Sequence, residues 1–174
     1  MFFFIIIASL VISCVFAEPI TAIAYINNPP VTGLAHFSQD NYDSPTRIHI
    51  NITGLAPGSH GIHIHQFGDL SQGCMSTGAH YNPFNKTHGG PDAKVRHVGD
   101  FGNIISESAT GFAILDLTSD LVKLSEYTSI IGRAVVVHSG EDDYGLGGTP
   151  LSNTTGNSGE RVGCGVIGYS SSTA

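Results

Sequence analysis

Gly61-Ile62-His63-Ile64-His65-Gln66 alternates apolar and polar residues, the pattern of a strand with one face buried. Residues two apart in a strand share a face, about 6.5–7 Å from one another, so His63 and His65 can reach one ion between them. The same pattern also describes a surface strand with two exposed histidines and with Ile62 and Ile64 packed inward. Short alternating or β-branched runs recur on either side, at 21–26, 32–39, 46–53, 98–104, 111–117, 133–137 and 163–168. Clusters of Gly, Pro and Asn separate them, most clearly Asn27-Asn28-Pro29-Pro30 and Gly54-Leu55-Ala56-Pro57-Gly58. Helical periodicity is almost absent. Short strands punctuated by turns predict an all-β sandwich or barrel, with no internal repeat and no linker.

Two stretches break the strand rhythm. Residues 68–97 and 139–160 are rich in Gly, Asn, Ser and Asp, and each exceeds the roughly 12–15 residues usual for a loop without structure of its own. Ordering a backbone costs about 1–2 kcal/mol per residue, and polar side chains cannot offset that by burial. Metal bonds worth on the order of 10 kcal/mol can. The first of these stretches contains Cys74, His80 and His88 and ends at His97.

The opening run MFFFIIIASLVISCVFA, residues 1–17, is nearly all apolar and uncharged. It is short for a membrane span, which needs roughly 20 residues, and fits a cleaved export signal, although it lacks the usual initial Lys or Arg. An uncleaved anchor is the alternative. Removing it leaves one domain over residues 18–174, placed in a secreted, extracellular setting. Cys14 leaves with the signal, so Cys74 and Cys164 remain as an even pair. A disulfide between them would close a loop of about 90 residues, worth on the order of 4–5 kcal/mol in the chain-entropy account. Asn-x-Ser/Thr triplets at Asn51, Asn85 and Asn153 offer sites for N-linked glycans and add modest support for export. The net charge of −7 argues against nucleic acid and anionic membrane surfaces as partners, and no second stretch resembles a membrane span.

Histidine is abundant: nine in 174 residues, seven of them between His60 and His138. His80, His88, His97 and Asp100 form a second cluster, with spacings of eight, nine and three that suit a loop wrapped round an ion. Three nitrogens and a carboxylate oxygen make a closed tetrahedral set that fits zinc. Solvated loop histidines, with Asp100 as a turn residue, would give the same spacing. His138 ends the run Val135-Val136-Val137 and adds a nitrogen beside His63 and His65. An all-imidazole site suits copper where electrons must move, because zinc has no redox change to offer.

Together these residues resemble the copper/zinc superoxide dismutases. The matching segments are Gly61–Asp69, Gly73-Cys74, Gly78–Pro83, His88–Pro91, Arg96–Asn103, Ile130–Arg133, Val136–His138, Asp142-Asp143, Gly156-Asn157 and Gly163–Gly168, which span nearly the whole chain after residue 17. The resemblance implies an eight-stranded Greek-key barrel, an immunoglobulin-like sandwich architecture, with two long active-site loops. It implies copper on His63, His65, His80 and His138, and zinc on His80, His88, His97 and Asp100, so that His80 bridges one ion of each kind. Asp142 matches the carboxylate that orients one ligand from each ion. Arg161 matches the arginine that holds the anionic substrate, and Cys74 with Cys164 matches the intrasubunit disulfide.

The implied reaction disproportionates superoxide to dioxygen and hydrogen peroxide, with His80 passing a proton and zinc structural. A homodimer is implied by Phe67-Gly68, Ile131-Gly132 and Val166–Tyr169. The alternative is a secreted copper- and zinc-binding protein without turnover, and Arg161 speaks against it, since storage has no use for an anion-holding arginine. A copper-transfer module would fit missing copper ligands or added Cys motifs, and the chain has neither. The chain departs from the family in the second loop. Residues 139–160 contain no Lys or Arg, with Leu146, Pro150, Leu151 and Thr154 where charged residues are common and Gln66 where an acid often stands. Weaker electrostatic steering of superoxide is therefore expected. His36, His49 and His60 receive no role.

Overall fold

Along Thr46–Thr53 every second side chain turns inward: Thr46, Ile48, Ile50 and Ile52 are buried, while Arg47 and His49 are exposed. The computed structural model describes residues 18–171, so the expected export segment 1–17, with Cys14, lies outside the described residues. Nine strands follow in chain order: β1 Ile20–Asn28, β2 Val31–Gln39, β3 Thr46–Thr53, β4 Gly58–His65, β5 Ser71–Cys74, β6 Asp100–Ser106, β7 Phe112–Ser119, β8 Ala134–His138 and β9 Arg161–Tyr169.

All but the short β5 form one antiparallel sheet, ordered β6-β4-β8-β9-β1-β2-β3-β7. The edge strands β6 and β7 approach one another and nearly close it into a barrel. The connections β3 to β4 and β7 to β8 skip neighbouring strands, as Greek-key chains do. Each of the eight strands expected from alternation is present, with ends displaced by up to three residues. The two long loops are not bare. β5 and a 3-10 turn, Met75–Thr77, interrupt the first, and a four-residue helix, α1 Ser152–Thr155, interrupts the second.

The barrel interior is filled by branched and aromatic side chains, among them Phe37, Ile48, Ile50, Ile52, Ile62, Ile64, Phe101, Ile104, Val135, Val137 and Ile167. Each contributes about 1.5–3 kcal/mol by leaving water. In β4 and β8 the register pairs Ile62 with Val137, His63 with Val136, Ile64 with Val135 and His65 with Ala134. Ile62, Ile64, Val135 and Val137 therefore share the inner face. His63, His65 and Val136 turn outward, yet all are buried, because the two long loops fold over that outer surface. The Cys74–Cys164 disulfide, with Cα atoms 5.7 Å apart, ties the first loop to β9 and packs with Ala134 and Val136 on this side. Among the described residues no helix is long and apolar enough to cross a membrane.

Candidate metal centre

Seven side chains from four different parts of the chain meet outside the barrel wall. β4 supplies His63 and His65, the end of β8 supplies His138, and the start of β6 supplies Asp100. His80, His88 and His97 come from the loop between β5 and β6. A chain of backbone hydrogen bonds draws that loop in: Tyr81 N–H donates to Ile64 O (2.8 Å), Ile64 N–H to Gly99 O (2.9 Å) and Gly99 N–H to Tyr81 O (3.1 Å). All seven are buried, and their nitrogens and oxygens fall into two groups. His63, His65, His80 and His138 form one, His80, His88, His97 and Asp100 the other, and ligand atoms within each lie within 4.8 Å of one another.

The second group is nearly regular. The Nδ1 atoms of His80, His88 and His97 each lie 3.0 Å from the same Asp100 oxygen. Bonds of about 2.0 Å to a tetrahedral ion would set neighbouring donor atoms about 3.3 Å apart. His88 Nδ1 faces that oxygen out of line for a hydrogen bond and has no other partner. The other Asp100 oxygen accepts from the backbone N–H of Gly89 (3.1 Å) and His97 (2.8 Å).

In the first group, hydrogen bonds fix which ring nitrogens are free. His65 Nδ1 donates to Gly78 O (2.9 Å) and His138 Nδ1 to Gly159 O (3.1 Å). A nitrogen that faces a carbonyl must carry the hydrogen, so the two Nε2 atoms carry lone pairs, and they face one another at 3.3 Å. Both rings are neutral at pH 7. Burial holds His65 well below its ordinary value, and burial together with the nearby His80 holds His138 at about 4. Two opposed lone pairs repel unless a cation lies between them. His63 Nδ1 and His80 Nε2 are also buried without a hydrogen-bond partner. Orphaned donor atoms in both groups, four imidazoles in one and three with a carboxylate in the other, fit copper and zinc respectively.

Two residues join the groups. His80 points Nδ1 at Asp100 and leaves Nε2 on the other side, with its ring stacked 3.9 Å from that of His63. Asp142 accepts from His63 Nε2 through one oxygen (2.9 Å) and from His88 Nε2 through the other (2.8 Å). Burial opposes ionisation of Asp142 and Asp100, yet the histidine hydrogen bonds outweigh it and hold both carboxyls below the usual range. Burial also lowers His88, but these two carboxylates reverse that and lift the ring to about 9.

Asn103 received no role from the sequence, yet it positions Asp142. Its side chain donates to Asp142 O (2.8 Å) and accepts from Asp142 N–H (2.7 Å). Its signals in the sequence are its place in the matching segment Arg96–Asn103 and a polar side chain set between Gly102 and Ile104.

Arg161 opens β9 and is held in a fixed posture. Its Nη1 donates to Cys74 O (2.8 Å), Met75 O (3.1 Å) and Thr77 Oγ1 (3.0 Å), and its Nη2 to Gly78 O (2.6 Å). It shares a cavity of about 370 Å³ with His65, His80 and His138. Leu151, Thr155 and Asn157 of the second long loop also line it. Leu146 and Leu151 are exposed at 83% and 55% on the covering loop. Of the three glycosylation triplets, Asn85 and Asn153 are exposed, and Asn51 is half-buried within β3.

Residues 31–167 match the family described as copper/zinc superoxide dismutase (SODC). The chain is 49% identical over 148 residues to "Superoxide dismutase [Cu-Zn] 4" of Dictyostelium discoideum, covering 85% of this chain and 97% of that protein. It is 48% identical over 153 residues to "Superoxide dismutase [Cu-Zn]" of Paramecium bursaria Chlorella virus 1, covering 87% of this chain and 80% of the viral one. With an antiparallel barrel, two facing donor sets and these relatives, the chain belongs to the copper/zinc superoxide dismutase family.

Proposed function

We propose that this chain disproportionates superoxide to dioxygen and hydrogen peroxide, with copper held by His63, His65, His80 and His138. Zinc is held by His80, His88, His97 and Asp100. Bound copper supplies the one-electron change between Cu(II) and Cu(I), which zinc lacks. The observation that carries this reading is the shared cavity of Arg161, His80 and His138.

Arg161 keeps its charge and spends four hydrogen bonds on backbone and side-chain oxygens, so the guanidinium is immobile before substrate arrives. A preorganised cation binds a small anion without reorganising at the moment of reaction. His80 Nε2 has no partner in the protein and its ring lines the Arg161 cavity, so it is where a proton can be held for delivery. Asp142 and the carbonyls of Gly78 and Gly159 keep His63, His65 and His138 in one tautomer, so each ring turns its remaining lone pair towards the copper position.

The exported form is part of the proposal. The apolar, uncharged segment 1–17, the Cys74–Cys164 disulfide and the exposed triplets at Asn85 and Asn153 support it. So is a homodimer. Phe67 and Val166 are exposed at 50% and 40%, and Gly68, next to Phe67, packs against Gly132 and Val166, which supports one shared apolar surface there.

The test is metal analysis of the purified protein beside a superoxide-consumption assay. One copper and one zinc per chain are expected, with consumption that falls roughly tenfold or more in Arg161→Leu while metal content holds. A fully metallated wild-type protein that consumes superoxide no faster than the variant would instead favour a metal-binding protein without turnover.

A further inference from the structure

Nine histidines are present, and six belong to the metal centre. A seventh, His60, has both ring nitrogens against carbonyls, Nδ1 at 2.9 Å from His138 O and Nε2 at 2.8 Å from Ala56 O. Two remain, His36 and His49, and the sheet register places them directly opposite one another on β2 and β3. The next strand continues the row, with Asp116 of β7 opposite His49. Directly opposed residues have Cβ atoms about 4.5–5.5 Å apart. All three lie on the outer face, since their neighbours Ala35, Phe37, Ile48 and Ile50 point into the core. Neither β2, β3 nor β7 contributes a residue to the copper or zinc set.

The chemistry of the row suits a cation. Asp116 Oδ1 lies 2.7 Å from His49 Nδ1, which puts the ring hydrogen there and leaves the Nε2 lone pair free. Carboxylates stand behind metal-bound imidazoles in this way. His36 Nε2 is screened from water and has no hydrogen bond to lose. The row lines an open groove of about 670 Å³. The groove's one cation, Arg47, is already answered by both oxygens of Asp40. Turning His36 and His49 onto a common point asks only for side-chain rotamer steps, fast in the exposed His49 and slower in the half-buried His36.

We propose that His36 and His49, with Asp116 orienting His49, form a third, solvent-facing site for a borderline divalent transition-metal ion such as Cu²⁺ or Ni²⁺. Imidazoles from adjacent strands supply two ligands and water completes the shell. Two neutral nitrogens in place of several carboxylates disfavour Ca²⁺ and Mg²⁺.

The test uses the copper- and zinc-loaded protein titrated calorimetrically with NiCl₂, with copper and zinc contents checked before and after. One further site per chain is expected, weakened at least tenfold in His36→Gln and separately in His49→Gln, and several-fold in Asp116→Asn. Superoxide consumption stays at the wild-type value in all three variants, which shows that they fold. No nickel uptake beyond the two buried ions would overturn the proposal. So would an affinity unchanged in either histidine variant.

Discussion

Gly156 is packed so closely against Asp142 that a methyl group on it would overlap the Asp142 carboxylate and press on the ring of His88. Its φ of +63° is in the left-handed region, where a side chain costs about 1–2 kcal/mol. Gly156→Ala should therefore loosen both ions at once, lowering copper and zinc affinity roughly 10–100-fold. Dialysis against a graded chelator series with metal analysis reads this out. Retention of both ions at the wild-type chelator concentration would refute it.

Asn103 predicts a similar effect by another route. Replacing it with Leu removes both bonds to the Asp142 backbone and leaves the N–H and C=O of a buried residue unpaired, at a cost of about 1–3 kcal/mol. Thermal unfolding should shift down by several degrees, with a larger shift in the metal-loaded protein than in the metal-free one. Equal shifts would mean that Asn103 serves the barrel and not the ions.

The metal-free protein should show two pH effects of opposite sense. His88, raised to about 9, contributes stability that is complete below its unfolded value near 6.5 and is lost as pH rises through 9. His138, lowered to about 4, works the other way: its contribution is present above 6.5 and disappears as pH falls towards 4. Stability against pH should thus be dome-shaped. Zinc binding at pH 7 must also displace the His88 proton, so calorimetry in buffers of different ionisation heat should report roughly one proton released. Zero release would contradict the charge assigned to His88.

The covering loop carries no Lys or Arg, and Leu151 lines the cavity beside Arg161. The rate constant for superoxide should fall only gently with ionic strength. A unit charge about 10 Å from the approach path is worth roughly 0.4 kcal/mol in water, so Leu151→Lys should raise the low-salt rate about twofold and steepen its salt dependence. A wild-type rate that already drops steeply with salt would sink this account.

Reducing Cys74–Cys164 and removing zinc should free residues 68–100 before the barrel opens. Those residues are held by the disulfide, by Arg161 and by the ligands, with few apolar contacts of their own. Hydrogen exchange should show protection lost there first and retained in β2 and β3. Simultaneous loss would contradict it.

Much of this architecture was legible in the chain. Alternation marked the eight barrel strands because each has one apolar face, and Ile62 and Ile64 against His63 and His65 are the clearest case. β5 escaped because Ser71, Gln72 and Gly73 are polar and exposed, and Cys74 is fixed from outside the strand, by the disulfide and by Arg161 on its carbonyl. Helix α1 escaped because it is a single turn held by side-chain bonds between Thr149 and Ser152. The ligand tautomers were unreadable for a different reason. They depend on the carbonyls of Gly78, Lys86 and Gly159, and the direction of a carbonyl is set by the fold and not by the residue that carries it.

The isoleucines of β4 look inward while its histidines look out. Nothing in the barrel interior therefore waits on copper or zinc, and the hydrophobic core can assemble first. The ions dock on the outside of a wall that is packed without them, and the two loops are the part of the molecule that can be rewritten for other chemistry without disturbing what lies behind them.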